Sequence, residues 1–183
     1  RYPTRLTVGK AAHLVLVGIP GSGKTSTGRE LAKLLHWPFL DLDERIAERA
    51  GLTVRDIFAT LGEAHFRALE RDATEQLAVA AAPSVLAPGG GWITVQGLVD
   101  LLRPPAKLIW LKVSPQRAIE RMGKAVLERP MLAGPAPLGA LAGLASARES
   151  FYLQSDHTVS VEKMTPIEAA EAITDYLLNG AVR

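Results

Sequence analysis

Residues 18–25 read Gly18-Ile19-Pro20-Gly21-Ser22-Gly23-Lys24-Thr25 and fit G-x-x-x-x-G-K-[ST], the pattern of a phosphate-binding loop, or P-loop. Each element of the pattern has a physical role. Gly21 and Gly23 let the backbone curl until its N–H groups point inward at phosphate oxygens. Lys24 brings a cation to the terminal phosphates, and the Thr25 hydroxyl suits Mg²⁺. A helix starting here aims its positive end at the anion. The flanks agree. His13-Leu-Val-Leu-Val17 is a short apolar, β-branched run of the kind that forms a buried strand. Ser26 to His36 repeats its leucines (Leu31, Leu34, Leu35) at helical spacing. Strand, glycine loop and helix follow in the order that a nucleoside triphosphate site requires.

The whole chain has 183 residues, which predicts one domain. Hydrophobic residues make up 48 % and aromatics only 5 %, so the core should be built from Leu, Val, Ile and Ala. A net charge of +2 does not by itself call for a nucleic-acid partner. The chain has no cysteine, which excludes disulfides, thiolate metal sites and cysteine nucleophiles, and is compatible with a reducing cytoplasm. The four histidines are too far apart in sequence to suggest a metal pair. No signal peptide is visible, and no apolar run approaches the roughly 18 residues of a membrane span. The expectation is a cytoplasmic protein with a small-molecule substrate and no membrane or direct nucleic-acid contact.

Further strand-like runs lie at Pro38–Leu42, Ser84–Ala87, Lys107–Leu111 and His157–Val161. Helical patterns separate them. Thr53 and Asp56 look like a capping box. Residues 62–81 carry Phe66, Leu69, Ala73 and Leu77 on one stripe. Ser114-Pro115 and Thr165-Pro166-x-Glu168 open two more helices, the last stopping near Gly180. This alternation predicts a three-layer α/β/α fold around a five-stranded parallel sheet. Leu132–Ser146, rich in Ala, Gly and Pro and free of charge, breaks the pattern. It reads as a surface loop or as a lid that excludes water from a transfer reaction.

Three more constellations carry chemistry. Asp41 and Asp43 flank Leu42 at the end of the second run, and an extended segment would put both carboxylates on one side. One could serve Mg²⁺ and the other a substrate hydroxyl; a helix cap is the plain structural alternative. Gly89-Gly90-Gly91 follows the third run and suggests close approach of another molecule, or a loose turn. Arg67, Arg121, Arg129 and Arg148 offer planar forks for carboxylate or phosphate, although a single arginine is more often a solvated surface group.

Taken in order, these blocks resemble the shikimate kinase family: the P-loop, then D-x-D, then Asp56-Ile-Phe-Ala-x-x-Gly-Glu-x-x-Phe-Arg67, then the triple glycine, Arg129-Pro130, and Arg148-x-x-x-Tyr152. The likeness spans about residues 13–178. The P-loop is generic; the block ending in Arg67 is far more specific. The resemblance implies a P-loop NTPase fold of the nucleoside-monophosphate-kinase type, a mobile lid over residues 124–147, and transfer of phosphate from ATP to the 3-hydroxyl of shikimate. It implies that Gly21, Ser22, Gly23, Lys24, Thr25 and Ser26 hold ATP, with Arg121 and Pro166 beside adenine. Thr25 and Asp41 would serve Mg²⁺. Lys24, Asp43 and Arg129 would be catalytic, and Asp43, Arg67, Gly89, Gly90, Gly91, Arg129 and Arg148 would hold shikimate.

The chain departs from the family pattern in several places. The lid lacks its usual charges, Ser150 replaces a proline, and Pro88 and Trp92 flank the glycines. These changes predict a more apolar acceptor side. A second likeness follows. Trp110–Pro115 and Arg129–Met131 resemble the kinase-like domain of transcription regulators of aromatic degradation, which bind an aromatic acyl-CoA such as benzoyl-CoA. The basic leader (residues 1–11) and the start at Arg1 rather than Met suit a domain taken from a longer chain. Nothing in these residues reads as a DNA-binding helix pair. A nucleotide kinase or gluconate-type kinase would leave the triple glycine with Arg67 and Arg148 unexplained.

Overall fold

The computed structural model describes residues 11–180. Of the predicted basic leader only Ala11 falls within that range, and the rest lies outside the described residues. Among the described residues the sheet has five strands: β1 Leu14–Val17, β2 Phe39–Asp41, β3 Val85–Ala87, β4 Lys107–Lys112 and β5 His157–Ser160. They lie in the order β2-β3-β1-β4-β5, and every pairing is parallel. Helices cover both faces, so central strands are unbroken apolar runs. All four residues of β1 are buried, and β4 buries its four middle residues between terminal lysines.

The helices are α1 Lys24–Leu35, α2 Leu42–Ala50, a single turn α3 Val54–Asp56, α4 Glu63–Ala78, α5 Leu98–Leu102, α6 Pro115–Met122, α7 Pro137–Tyr152 and α8 Pro166–Gly180. Half of the expected capping box forms: the Asp56 N–H donates to Thr53 Oγ1 at 3.1 Å. Ser114 and Thr165 cap α6 and α8 in the same way. α1 packs on α8, α4 on α2 and α5, and α6 on α7. Leu16, Leu31, Leu86, Leu108 and Ile109 are fully enclosed between the layers. Truncating one of these to Ala would cost about 2–5 kcal/mol. No helix among the described residues is long and apolar enough to cross a membrane.

Two local expectations need correction. Leu132–Ser146 is not an uninterrupted loop, because α7 begins at Pro137. The predicted lid interval 124–147 therefore holds a 3₁₀ turn (Gly123–Glu128), an irregular link and the first turns of α7. Ala and Leu are among the strongest helix formers, and Pro suits the first helical position. Gly139 and Gly143 face open space, where a missing side chain leaves no hole. Likewise Asp41 ends β2 and Asp43 lies inside the first turn of α2, so the segment is not extended across both. A π-helical turn at Ile57–Leu61 and the short α5 have no counterpart in the sequence reading.

The strand order places the site. The chain runs from β1 out to the edge strand β2, returns to place β3 between them, and then crosses to β4 and β5 on the other side of β1. The crevice opens at the carboxyl ends of the strands, beside β1, where the order reverses. The opposite end is tied by His13, which is buried. Its Nε2 lies 2.8 Å from the Leu77 carbonyl, and its Nδ1 lies 2.9 Å from Ser84 Oγ and 3.1 Å from the Ser84 N–H. A carbonyl only accepts, so Nε2 carries the proton and the ring is neutral. Burial lowers its pKa below 6.5, and the Leu77 bond offsets this only in part.

The sign follows from proton linkage. The unfolded chain binds a proton at His13 more readily than the folded chain, so this contribution is complete above about pH 6.5 and is lost as pH falls below it. The melting temperature of wild type should therefore fall more steeply between about pH 7.5 and 5 than that of His13→Gln. A difference of a few degrees is expected, at about 2–4 °C per kcal/mol for a chain of this size. Parallel pH profiles would remove this role from His13.

Candidate active site

The P-loop connects β1 to α1. Gly21 has φ +80°, and a methyl group there would lie 2.5 Å from the Ala118 carbonyl oxygen, so no L side chain fits this turn. The Ser22 N–H donates to the Ile19 carbonyl at 3.1 Å, while the Ser22 hydroxyl is buried without a partner. Lys24 is the first residue of α1, and its ammonium donates to the carbonyls of Gly18 (2.8 Å) and Ile19 (3.1 Å). Burial, then Arg129 and Arg148, push its pKa down to about 8, against the pull of Asp43 and Asp41. Lys24 as a whole is half-buried.

Asp41 satisfies both of its sequence readings. Its Oδ1 caps α2 by accepting from the Glu44 N–H at 3.1 Å, and its Oδ2 accepts from Thr25 Oγ1 at 3.3 Å. The second contact brings two hard oxygen donors together at the mouth of the loop. A small hydrated dication that takes one or two protein oxygens plus phosphate fits such a pair. Among the described residues no group of three or more His, Cys, Asp and Glu side chains could hold a metal. A cavity of about 370 Å³ is lined by Gly21, Ser22, Gly23, Thr25, Ser26, Arg121, Arg129 and Pro166, with other residues from the loop and the β5–α8 turn. It joins the loop to the segments expected beside adenine. Arg121 is held there by donating to the carbonyls of Val161 and Met164.

The other wall is the glycine loop after β3. A methyl group on Gly89 would lie 2.7 Å from Asp43 Oδ1, one on Gly90 2.8 Å from Arg148 Nη1, and one on Gly91 2.7 Å from Arg67 Nη2. Three charged groups from α2, α7 and α4 therefore rest against bare backbone, and a side chain on any of these glycines would displace the group it faces. Asp43 Oδ1 is buried and unpartnered. Burial and the charge of Asp41 raise the pKa of Asp43, against Lys24, Arg67 and Arg129. Its lone pairs are free to accept a proton or a hydroxyl.

The sequence reading missed Glu70. This fully buried carboxylate accepts from Arg67 Nη1 at 2.8 Å, while Glu63 faces Arg67 Nη2 at 3.5 Å. Burial raises the pKa of Glu70, and the Arg67 bond opposes the rise. The i, i+3 spacing from Arg67 on a helix was the available signal. Trp92 is also placed differently from expectation. It does not make the acceptor side apolar, because both it and Pro88 are buried. The bulky ring turns into the core, where its area is best removed from water.

The buried Lys24 charge makes a measurable prediction for the ligand-free protein. Because its folded pKa is about 8 against 10.5 unfolded, the folded state disfavours the proton, and this penalty fades as pH rises between those values. The melting temperature of Lys24→Met minus that of wild type should therefore decrease from about pH 7 to 10. A difference that does not change with pH would count against a strained lysine.

Comparisons with known proteins agree with this geometry. The family model described as shikimate kinase matches residues 20–178. A shikimate kinase of Moorella thermoacetica is 39 % identical over 165 residues, covering 90 % of this chain and 94 % of the relative. One from Symbiobacterium thermophilum is 43 % identical over 146 residues, covering 79 % and 83 %. The structure of the Acinetobacter baumannii shikimate kinase in complex with shikimate superposes with a TM-score of 0.87 at 30 % identity, covering 96 % of this chain and 97 % of that one. With its P-loop, its five-stranded parallel sheet and this breadth of likeness, the chain belongs to the shikimate kinase family.

Proposed function

We propose that this protein is an ATP-dependent phosphotransferase that phosphorylates the 3-hydroxyl of shikimate. The observation that carries the reading is the convergence of Asp43, Arg67 and Arg148 on the triple-glycine loop, next to a P-loop whose lysine senses Asp43 and Arg148. A phosphate donor alone would not need that second wall. A small polyhydroxylated carboxylic acid would: two guanidinium groups suit its carboxylate, and an unpartnered carboxylate oxygen suits its hydroxyl.

The P-loop N–H groups, the Ser22 hydroxyl and Lys24 would grip the phosphates, with Arg121 and the Pro166 turn flanking the base. Thr25 and Asp41 would hold Mg²⁺, which when bound neutralises charge on the donor phosphates. Asp43 accepts the proton of the acceptor hydroxyl as its oxygen attacks the γ-phosphorus. The new O–P bond forms, the bond to the β-phosphate oxygen breaks, and ADP leaves. Arg129, from the segment before α7, lines the same cavity and would meet the transferring group. Arg67 and Arg148 fix the acceptor so that the hydroxyl lies in line. The need for ATP and the lack of cysteine support a cytoplasmic setting for this activity. The acyl-CoA reading gains nothing from the site, since Trp92 is withdrawn into the core.

The direct test is ADP release from Mg-ATP with and without shikimate, with benzoyl-CoA binding measured alongside. Shikimate-dependent turnover of about 1–100 s⁻¹ is expected. Absence of turnover with tight acyl-CoA binding would replace the enzyme by a ligand sensor. In the active protein, Asp43→Asn should lower kcat by about 10²–10⁴ while the fold survives. Full activity in Asp43→Asn would take the proton-accepting role from that carboxylate.

A further inference from the structure

The glycine loop presents a mechanical problem. Gly89, Gly90 and Gly91 must hold their backbone against Asp43, Arg148 and Arg67, yet glycine is the residue with the most conformational freedom to lose. Something has to fix the loop from outside. On its amino side β3 ends at Ala87, paired in the sheet with Asp41, and the buried Pro88 restricts the next φ. On its carboxyl side stands Trp92.

Trp92 is completely buried, and its indole Nε1–H donates to Thr74 Oγ1 at 3.1 Å. Thr74, also fully buried, donates in turn to the Glu70 carbonyl at 2.7 Å. The hydroxyl uses both its donor and an acceptor site. Thr74 lies on α4, one turn beyond Glu70 and two beyond Arg67. The indole therefore ties the loop to the helix that carries the Arg67–Glu70 pair. Bonds to the loop carbonyls close the other gaps: the Trp92 N–H donates to the Gly89 carbonyl at 3.1 Å, and the Thr94 hydroxyl donates to the Gly91 carbonyl at 2.7 Å. Only Pro88 to Gly91 is left between two fixed points.

We propose that Trp92, through its bond to Thr74, is a positioning residue that holds the triple-glycine wall in register with Arg67 on α4. This rests on the reading of that wall as the shikimate side of the site. Trp92 and Pro88, two departures from the family pattern, then act together to stiffen a loop whose sequence is otherwise loose. The expected kinetic mark is selective. A wandering loop misplaces the acceptor and leaves the P-loop cavity alone.

The experiment uses the whole protein with Thr74→Val, which keeps volume but removes the acceptor, and Trp92→Phe, which keeps a ring but removes the donor. Each should raise the KM for shikimate about five- to ten-fold while the KM for ATP stays within about two-fold. The double variant should be no worse than the poorer single, because one bond is lost in every case, and Thr74→Ser should recover the wild-type KM. Should Trp92→Phe fail to fold, the Thr74 pair still decides. An unchanged shikimate KM, equal rises in both KM values, or independent losses that multiply in the double variant would overturn the proposal. Amide hydrogen exchange over residues 88–94 separates this from the functional reading. If wild type does not phosphorylate shikimate, faster exchange in Thr74→Val supports the tie and the assigned activity alone fails. Unchanged exchange overturns the tie itself.

Discussion

A single ammonium group sets the terms for the rest of this molecule. Lys24 is held by two backbone carbonyls of its own loop, at a depth where water solvates it poorly, with two arginines nearby. An isolated cation there would be intolerable. What makes it tolerable is the pull of Asp43 and Asp41, and Asp41 in turn marks where β2 ends and α2 begins. Asp41 is at once the end of a strand, the cap of a helix and the partner of the P-loop threonine. A shift of one residue in β2 would break all three roles, so strand register, helix start and the contact with the P-loop threonine are settled by the same side chain.

The second wall solves a complementary problem. Carboxylate and guanidinium groups are bulky and well hydrated, and holding several around one small cavity normally costs desolvation without contact in return. The triple glycine supplies contact without volume, so charges from three helices share one strip of backbone. Behind the strip, Glu70 offsets the charge of Arg67 and is itself buried. The site thus has a cationic surplus toward ligand and a carboxylate behind the guanidinium, the arrangement that electrostatic preorganisation requires.

Local features were legible in the chain. The strand–loop–helix around Lys24 and the caps at Thr53 and Ser114 depend on a few neighbouring residues, and the structure has them as read. The grouping of Asp43, Arg67, Arg148 and the glycines came from motif order, and the structure brings these residues to one wall. What stayed hidden depends on distant contacts. The weakly patterned Pro137–Tyr152 segment becomes a helix whose Leu141 and Tyr152 are buried, with Tyr152 stacking on Trp110 at 5.5 Å. Trp92 beside three glycines looks like a pocket residue until α4 is seen to offer Thr74. Glu70 looks like an ordinary helix-surface glutamate, and only burial distinguishes it from Glu63, two turns earlier on the same face of α4.

The His13 knot lies before β1, whereas the chemistry occupies the far ends of the same strands. This polarity separates two kinds of inheritance. Substitutions that adapt the protein to heat or acidity can accumulate around His13, Ser84 and Leu77 without passing through the reaction centre. Changes around Arg67 and Glu70, in the first half of α4 and against the glycine wall, lie along the helix from the Leu77 carbonyl that the knot uses. The two ends of the sheet are thus built from separate contacts, with α4 reaching from one to the other.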